Sequence, residues 1–192
     1  MTVGTQVLLY FAILLGLLAL AVCFARRSGR HRAFAVLGAV WVVIVDRHVK
    51  QLIVAHLALG GTAPLLPGLF RLERVHNYGA AWSSFSGARW LLVAVTAAAL
   101  LALGFLAVKR VKRPLGVWAL WLIIGGGAGN LVDRVGRGYV VDMIAAEFVD
   151  FPVFNIADIF VTCGAAAAAV YYWKDWEKAD GTGRPDNGTG AE

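Results

Sequence analysis

The sequence predicts an all-α integral membrane protein of about five spans, and three observations carry that prediction. Hydrophobic residues make up 59% of the 192 and the mean hydropathy is +0.69, more than the one or two packed layers of a soluble domain would hold. Apolar runs long enough to cross a bilayer alternate with tight clusters of Lys and Arg. Asp133, Asp142 and Asp158 lie in the stretch 125–158 with strongly apolar sequence on both sides. An ionised carboxylate at membrane depth costs about 3 kcal/mol, so it is normally paired or lines a polar cavity, and it marks a functional candidate. The net charge of +6 points to topology rather than to nucleic acid, because the cations sit beside apolar runs, as in loops facing a cytoplasm and its anionic leaflet.

Val7 to Ala25 is free of charge and is followed by Arg26, Arg27, Arg30, His31 and Arg32. A secretory signal carries its positive region first, and the residue before Cys23 is Val22 rather than the small residue a lipoprotein signal would need, so the run is expected to be a retained span entering from outside. Ala33 to about Leu59 forms a second span that carries Asp46, Arg47, His48 and Lys50 near its outer end. Asp46 and Lys50 share a helical face at i, i+4; they form either a mutual ion pair with the lysine snorkelling to the interface or a direct part of a site. Residues 60–87 read as a loop with a short strand over Leu69 to Val75 and a turn at Asn77 to Gly79 that aims a polar side chain. Trp90 to Val108 is an apolar scaffold span, and KRVKR at 109–113 with Pro114 marks an inner loop.

Gly116 to Leu131 is the fourth span, with Gly125 and Gly129 at the spacing that allows close helix approach and holds Asn130 and Asp133 in place. Residues 134–153 return to the outer side, Phe154 to about Trp173 is the last span, and the polar, Gly-rich tail is expected to be disordered. The chain thus divides into an N-terminal span and basic loop (1–32), a core (33–173) and a cytoplasmic tail (174–192). With the first span entering from outside, the clusters at 26–32 and 109–113 fall inside. Arg71, Arg74, Arg134 and Arg137 fall outside, where they are expected to serve a site. Asp46, Asn77, Asp133, Asp142 and Asp158 converge at one level, the outer boundary.

Little conventional chemistry fits these residues. No Ser or Cys has a His partner near that face, no HExxH is present, and GGGAGN lacks the Lys-Ser/Thr of a phosphate loop. The four histidines are scattered, so neither a metal nor a cofactor is expected, and Cys23 and Cys163 read as inert packing residues. Carboxylates remain. Two held close together cannot both ionise easily, so one keeps a proton while the other acts as base toward water. Asp133, next to Arg134 and one turn from Asn130, reads as ion-paired structure. Asp142, after the strand-like GYVV, and Asp158, opening a helix whose dipole tolerates a carboxylate, are the candidate pair.

GNLVDR (129–134), VVDM (140–143) and FNIAD (154–158), with DRHVK (46–50) and NYGAAWS (77–83), resemble in order and spacing the signature of lipoprotein signal peptidase, the bacterial signal peptidase II. The resemblance covers about residues 40–170. It implies Asp142 and Asp158 as catalytic pair, with Asp46, Lys50, Asn77, Gly129, Asn130, Asp133, Arg134, Asn155 and Ala157 binding substrate or bracing the site. It also implies a four-helix transmembrane core with a small extracytoplasmic β-rich cradle and an amphipathic segment over 143–153, in the bacterial inner membrane. Its substrates would be lipid-modified prolipoproteins met among membrane lipids, cut before the modified Cys, without a cofactor. Val7 to Ala25 is then an extra N-terminal transmembrane helix, and Trp82 stands where Phe is common. A proton-coupled transporter would instead spread its acids through the membrane and show an internal repeat, and a non-catalytic scaffold would leave the acid pair dispensable.

Overall fold

In the computed structural model the described residues are 1–79 and 88–179. Trp82, the second part of NYGAAWS and residues 180–192 of the tail lie outside them. The elements run α1 (Val3–Ser28), α2 (His31–His56), β1 (Thr62–Leu66), β2 (Phe70–Asn77), α3 (Arg89–Lys109), α4 (Pro114–Arg137), β3 (Val140–Ala146) and α5 (Ile156–Ala179).

Four of these helices, α1, α3, α4 and α5, are long and apolar enough to cross a membrane. The 26 residues of α1 reach about 39 Å at about 1.5 Å per residue, against a hydrocarbon core of about 30 Å. The second helix has the same length but differs in kind. It packs between α1 and α4, turning Leu37, Val40, Trp41 and Ile44 outward while Asp46 and Lys50 are buried. Leu9, Ile13 and Leu20 of α1 and Leu91, Leu101 and Phe105 of α3 are exposed, a liability in water and ordinary against lipid.

Helix ends are set by short-range chemistry. The Thr2 hydroxyl accepts from Thr5 N at 3.2 Å to start α1. Gly29, at φ 70°, ends it in the left-handed conformation that glycine adopts without strain, folding α2 back alongside. Gly138, at φ 86°, does the same between α4 and β3. The exposed carbonyls at two helix C-termini take arginines. Arg74 Nη1 donates to Leu57 O at 2.9 Å and Val54 O at 3.3 Å, and Arg89 Nε donates to Arg134 O at 2.7 Å.

The three strands form one antiparallel sheet in the order β1-β2-β3. The expected strand over Leu69 to Val75 is β2, two residues longer at its far end. The unexpected β1 contains Pro64, which is tolerated because this strand is at the sheet edge. The segment 143–153, expected to be amphipathic as a whole, is divided: Met143 to Ala146 belong to β3, and 147–153 form an irregular turn interrupted by Pro152, which lacks an N–H to donate. Phe154 closes that turn by pairing with Ile144, its N–H donating to Ile144 O at 3.0 Å and its carbonyl accepting from Ile144 N at 2.8 Å. This bridge brings the start of α5 against β3.

Helix α4 is the axis of the bundle, packing on α2, α3 and α5. Its glycines allow the approach: a Cβ at Gly125 would lie 2.9 Å from Ala39 Cα of α2, and one at Gly126 would collide with the Ala157 carbonyl of α5.

Candidate active site

Asp142 lies mid-strand in β3, opposite Val75, while Asn77 lies opposite Val140. Strand periodicity puts Asn77 and Asp142 on one sheet face as diagonal neighbours. Asn77 Nδ2 donates to Asp142 Oδ2 at 3.0 Å, while its Oδ1 accepts from Gly79 N at 2.9 Å. That second bond is an Asx turn, which fixes the direction of the side chain.

Asp158 is placed by the end of its own helix. Asn155 Oδ1 accepts from Asp158 N at 3.0 Å, and Asp158 Oδ2 accepts from Asn155 N at 3.0 Å. This reciprocal arrangement is a capping box in which the third residue of α5 is the candidate catalytic acid. The cap then reaches beyond its helix. Asn155 Nδ2 donates to Asp142 Oδ1 at 2.7 Å and contacts Asn130 Oδ1 at 3.1 Å, and Asn130 Nδ2 donates to Asp158 Oδ1 at 2.7 Å. Each oxygen of the two carboxylates accepts from an amide.

A second cluster lies behind them. Lys50, 1% exposed, meets Asp46 Oδ2 at 2.8 Å, Asn130 Oδ1 at 2.9 Å and Asp133 Oδ2 at 3.2 Å, so each of its three donors has an acceptor. The expected Asp46–Lys50 pair forms, but the lysine does not snorkel, because these acceptors hold it inside the bundle. Asp46 Oδ1 also accepts from Ala157 N at 3.0 Å, satisfying another open amide of α5. Gly129 makes room for this carboxylate, since a Cβ there would stand 2.8 Å from Asp46 Oδ2. Asp133 accepts from Val141 N at 3.3 Å and pairs with Arg137 at 3.5 Å. Its partners are thus Lys50 and Arg137, one helical turn on, rather than the adjacent Arg134. Arg71 pairs with Glu73 at 2.7 Å. With Arg74 capping α2 and Arg137 on Asp133, Arg134 alone of the four outer arginines borders the site.

Asp142 and Asp158 open into one cavity of about 520 Å³, bordered also by Asn77, Asn130, Arg134 and Asn155. Asp46, Lys50, Gly129, Asp133 and Ala157 do not border it; they brace the residues that do. Burial first, then the charge of Asp158, pushes the Asp142 carboxyl up to about 6, against the opposing hydrogen bonds from Asn77 and Asn155 and the charge of Lys50. Arg134 Nη2 is anchored on Gly79 O at 3.0 Å, and its charge is felt by Asp158, Asp142 and Asp133.

The apolar walls were missed in the sequence. Phe151 to Phe154 line the cavity from the turn, and Ile159, Val161 and Thr162 line it from α5. A Phe-Pro-Val-Phe run between two acidic motifs was the available signal. Cys163, expected to be a packing residue, is exposed and borders the same cavity, and Cys23 is exposed on α1; an apolar run in a membrane helix does not separate the lipid-facing side from the packed one.

The chain is similar to known proteins over most of its length. The family described as signal peptidase (SPase) II matches residues 37–174. The lipoprotein signal peptidase of Streptococcus pyogenes serotype M6 is 38% identical over 149 residues, covering 76% of this chain and 96% of that protein. That of serotype M5 is 39% identical over 144 residues, covering 73% and 93%. A bacterial membrane enzyme solved by the in meso method at 2.3 Å superposes with a TM-score of 0.73 at 32% identity, covering 76% of this chain and 91% of that one. A second, solved at 1.9 Å, gives 0.70 at 33%, covering 74% and 94%. A chain whose acids, asparagines and bracing lysine sit within so long a match belongs to the signal peptidase II family.

Proposed function

We propose that this protein is an aspartic endopeptidase of the bacterial inner membrane that removes the signal peptide from diacylglyceryl-modified prolipoproteins, cutting before the lipid-bearing Cys. The observation that carries the reading is the joining of Asp142 and Asp158 through Asn155 at the wall of one cavity. The apolar walls suit a substrate that arrives through hydrocarbon.

In this reading the pair holds one proton and titrates as a unit. The ionised carboxylate takes a proton from water as the water oxygen attacks the scissile carbonyl carbon, and the protonated carboxyl gives its proton to the carbonyl oxygen. Collapse of the tetrahedral diol breaks the C–N bond as the protonated carboxyl gives its proton to the leaving nitrogen and the other carboxylate takes one from a diol hydroxyl, so the pair is left with one. Arg134 balances the charge that develops on the oxygen. The amides of Asn77, Asn130 and Asn155 orient the two acids. In this reading no cofactor enters and no nucleic acid is a partner.

In this reading the sheet lies outside the cell. The clusters at 26–32 and 109–113 join α1 to α2 and α3 to α4 at the end of the bundle away from it, and positive charge favours the cytoplasm. The test is incubation of purified enzyme with lipidated and unlipidated prolipopeptides. Cleavage of the lipidated form alone, abolished in Asp142→Asn and in Asp158→Asn, supports the reading; cleavage surviving in both variants removes it.

A further inference from the structure

The family match begins at residue 37, so α1 lies outside it, yet α1 is built into the protein. Gly4 approaches the backbone of Pro64 in β1 so closely that a Cβ would strike its carbonyl. Tyr10 shares a hydrogen bond of 3.0 Å with His48 of α2. Between α1 and the sheet lies a second cavity, of about 310 Å³, with Val7, Leu8 and Phe11 on one side and Leu65, Phe70 and Ile144 on the other. Among the described residues, none in its wall is polar. Phe154 and Ile159 line this cavity and the one holding the acids, so the two are neighbours across those side chains, at the level of Asp142 and Asp158.

We propose that the cavity walled by α1 receives one acyl chain of the substrate's diacylglyceryl group, making α1 a determinant of lipid-chain selectivity. The proposal rests on the peptidase reading above and deepens it. The lipid of such a substrate is attached to the residue next to the scissile bond, so its hydrocarbon must leave the catalytic cavity close to the acids. Phe154 and Ile159 form the boundary it meets, and beyond them lies an apolar volume of matching depth in the bilayer. A bilayer phospholipid fits less well, because no cation or hydroxyl in that wall can hold a headgroup. Filling or emptying the cavity therefore changes the response to acyl length, since each methylene buried there adds to binding.

The experiment uses full-length enzyme in nanodiscs of defined phospholipid and one prolipopeptide carrying either a dipalmitoyl or a dioctanoyl glyceryl group. Leu8→Trp, which fills the cavity from a half-buried position, lowers the ratio of long-chain to short-chain kcat/KM about tenfold, expressed mainly in KM. Leu8→Ala moves that ratio less, and folding of both variants is checked by thermal unfolding. In a second arm a diazirine at the acyl terminus of the long-chain substrate is photolysed in Asp142→Asn enzyme, where uncleaved substrate is retained, and the label falls on residues 7–11. An unchanged ratio in a folded Leu8→Trp enzyme overturns the proposal. So does label confined to other helices, or labelling of 7–11 by a diazirine phospholipid that substrate does not displace. Failure of the peptidase reading is separate: wild-type enzyme would then cleave neither substrate.

Discussion

Two groups of carboxylates stand side by side in this protein and differ in what neutralises them. Asp46 and Asp133 share the buried ammonium of Lys50, with Arg137 added on Asp133. Asp142 and Asp158 receive hydrogen bonds from uncharged amides of Asn77, Asn130 and Asn155. An acid set against a buried cation has a fixed counter-charge and serves as structure. An acid held by amides keeps its geometry and remains free to exchange a proton. On the proposed function, the same residue type is a brace in one place and a reagent in the other, and the choice of donor decides which.

The largest test of that contrast replaces each acid by its amide. Asp142→Asn or Asp158→Asn is expected to cut kcat by about 10⁴-fold, near the upper range for loss of a general acid or base, with the thermal unfolding midpoint close to that of the parent. Asp46→Asn in the same assay should lose stability first and activity only in proportion; an equal pattern in both groups would erase the distinction. Next comes Lys50→Met, which strands two buried carboxylates and should cost about 3–5 kcal/mol of stability, measured by chemical denaturation in detergent. Adding Asp46→Leu should recover part of that loss, and only part, because the Ala157 amide then loses its acceptor.

The reactive group should also respond to pH. With its carboxyl pushed up to about 6 from 3.8, Asp142 holds in the folded chain a proton that the unfolded chain releases. Stability from this group is therefore full below about pH 4 and falls as pH rises to about 6, by up to about 3 kcal/mol. Asp142→Asn should flatten that slope in unfolding midpoints taken from pH 4 to 7. An unchanged slope would assign the effect elsewhere. Smaller again is Gly129→Ala, which presses a methyl on the Asp46 carboxylate and should cost about 2 kcal/mol. Smallest is Asn77→Ala, which removes one of two donors to Asp142 and should lower kcat about tenfold, the order of one hydrogen bond to a charged group.

Much of the reactive group was legible in the sequence because it is written locally. An Asp three residues after an Asn, just before an apolar run, is a helix start, and reading FNIAD as a reciprocal cap would have given the geometry of Asp158 as well as its tolerance by the dipole. The brace was less legible, because its contacts join α2, α4 and α5 across the bundle. Asp133 was matched to its neighbour Arg134, whereas the ion pairs run to Lys50 and Arg137. Arg74 shows the same limit: a cation between two spans looks like a site residue until the helix end it covers is known. The Phe154 bridge to Ile144, which brings both acids together, depends on a turn whose closure no local pattern reveals.

Asn130 touches both groups, taking the Lys50 ammonium on one side of its amide and offering a hydrogen bond to Asp158 on the other. An amide transmits orientation and does not ionise at ordinary pH. Among the described contacts, the link between Asp158 and Lys50 is thus an amide, which passes no proton by ionising. Proton exchange at Asp142 and Asp158 is therefore separated from the buried ammonium by a side chain that carries no charge.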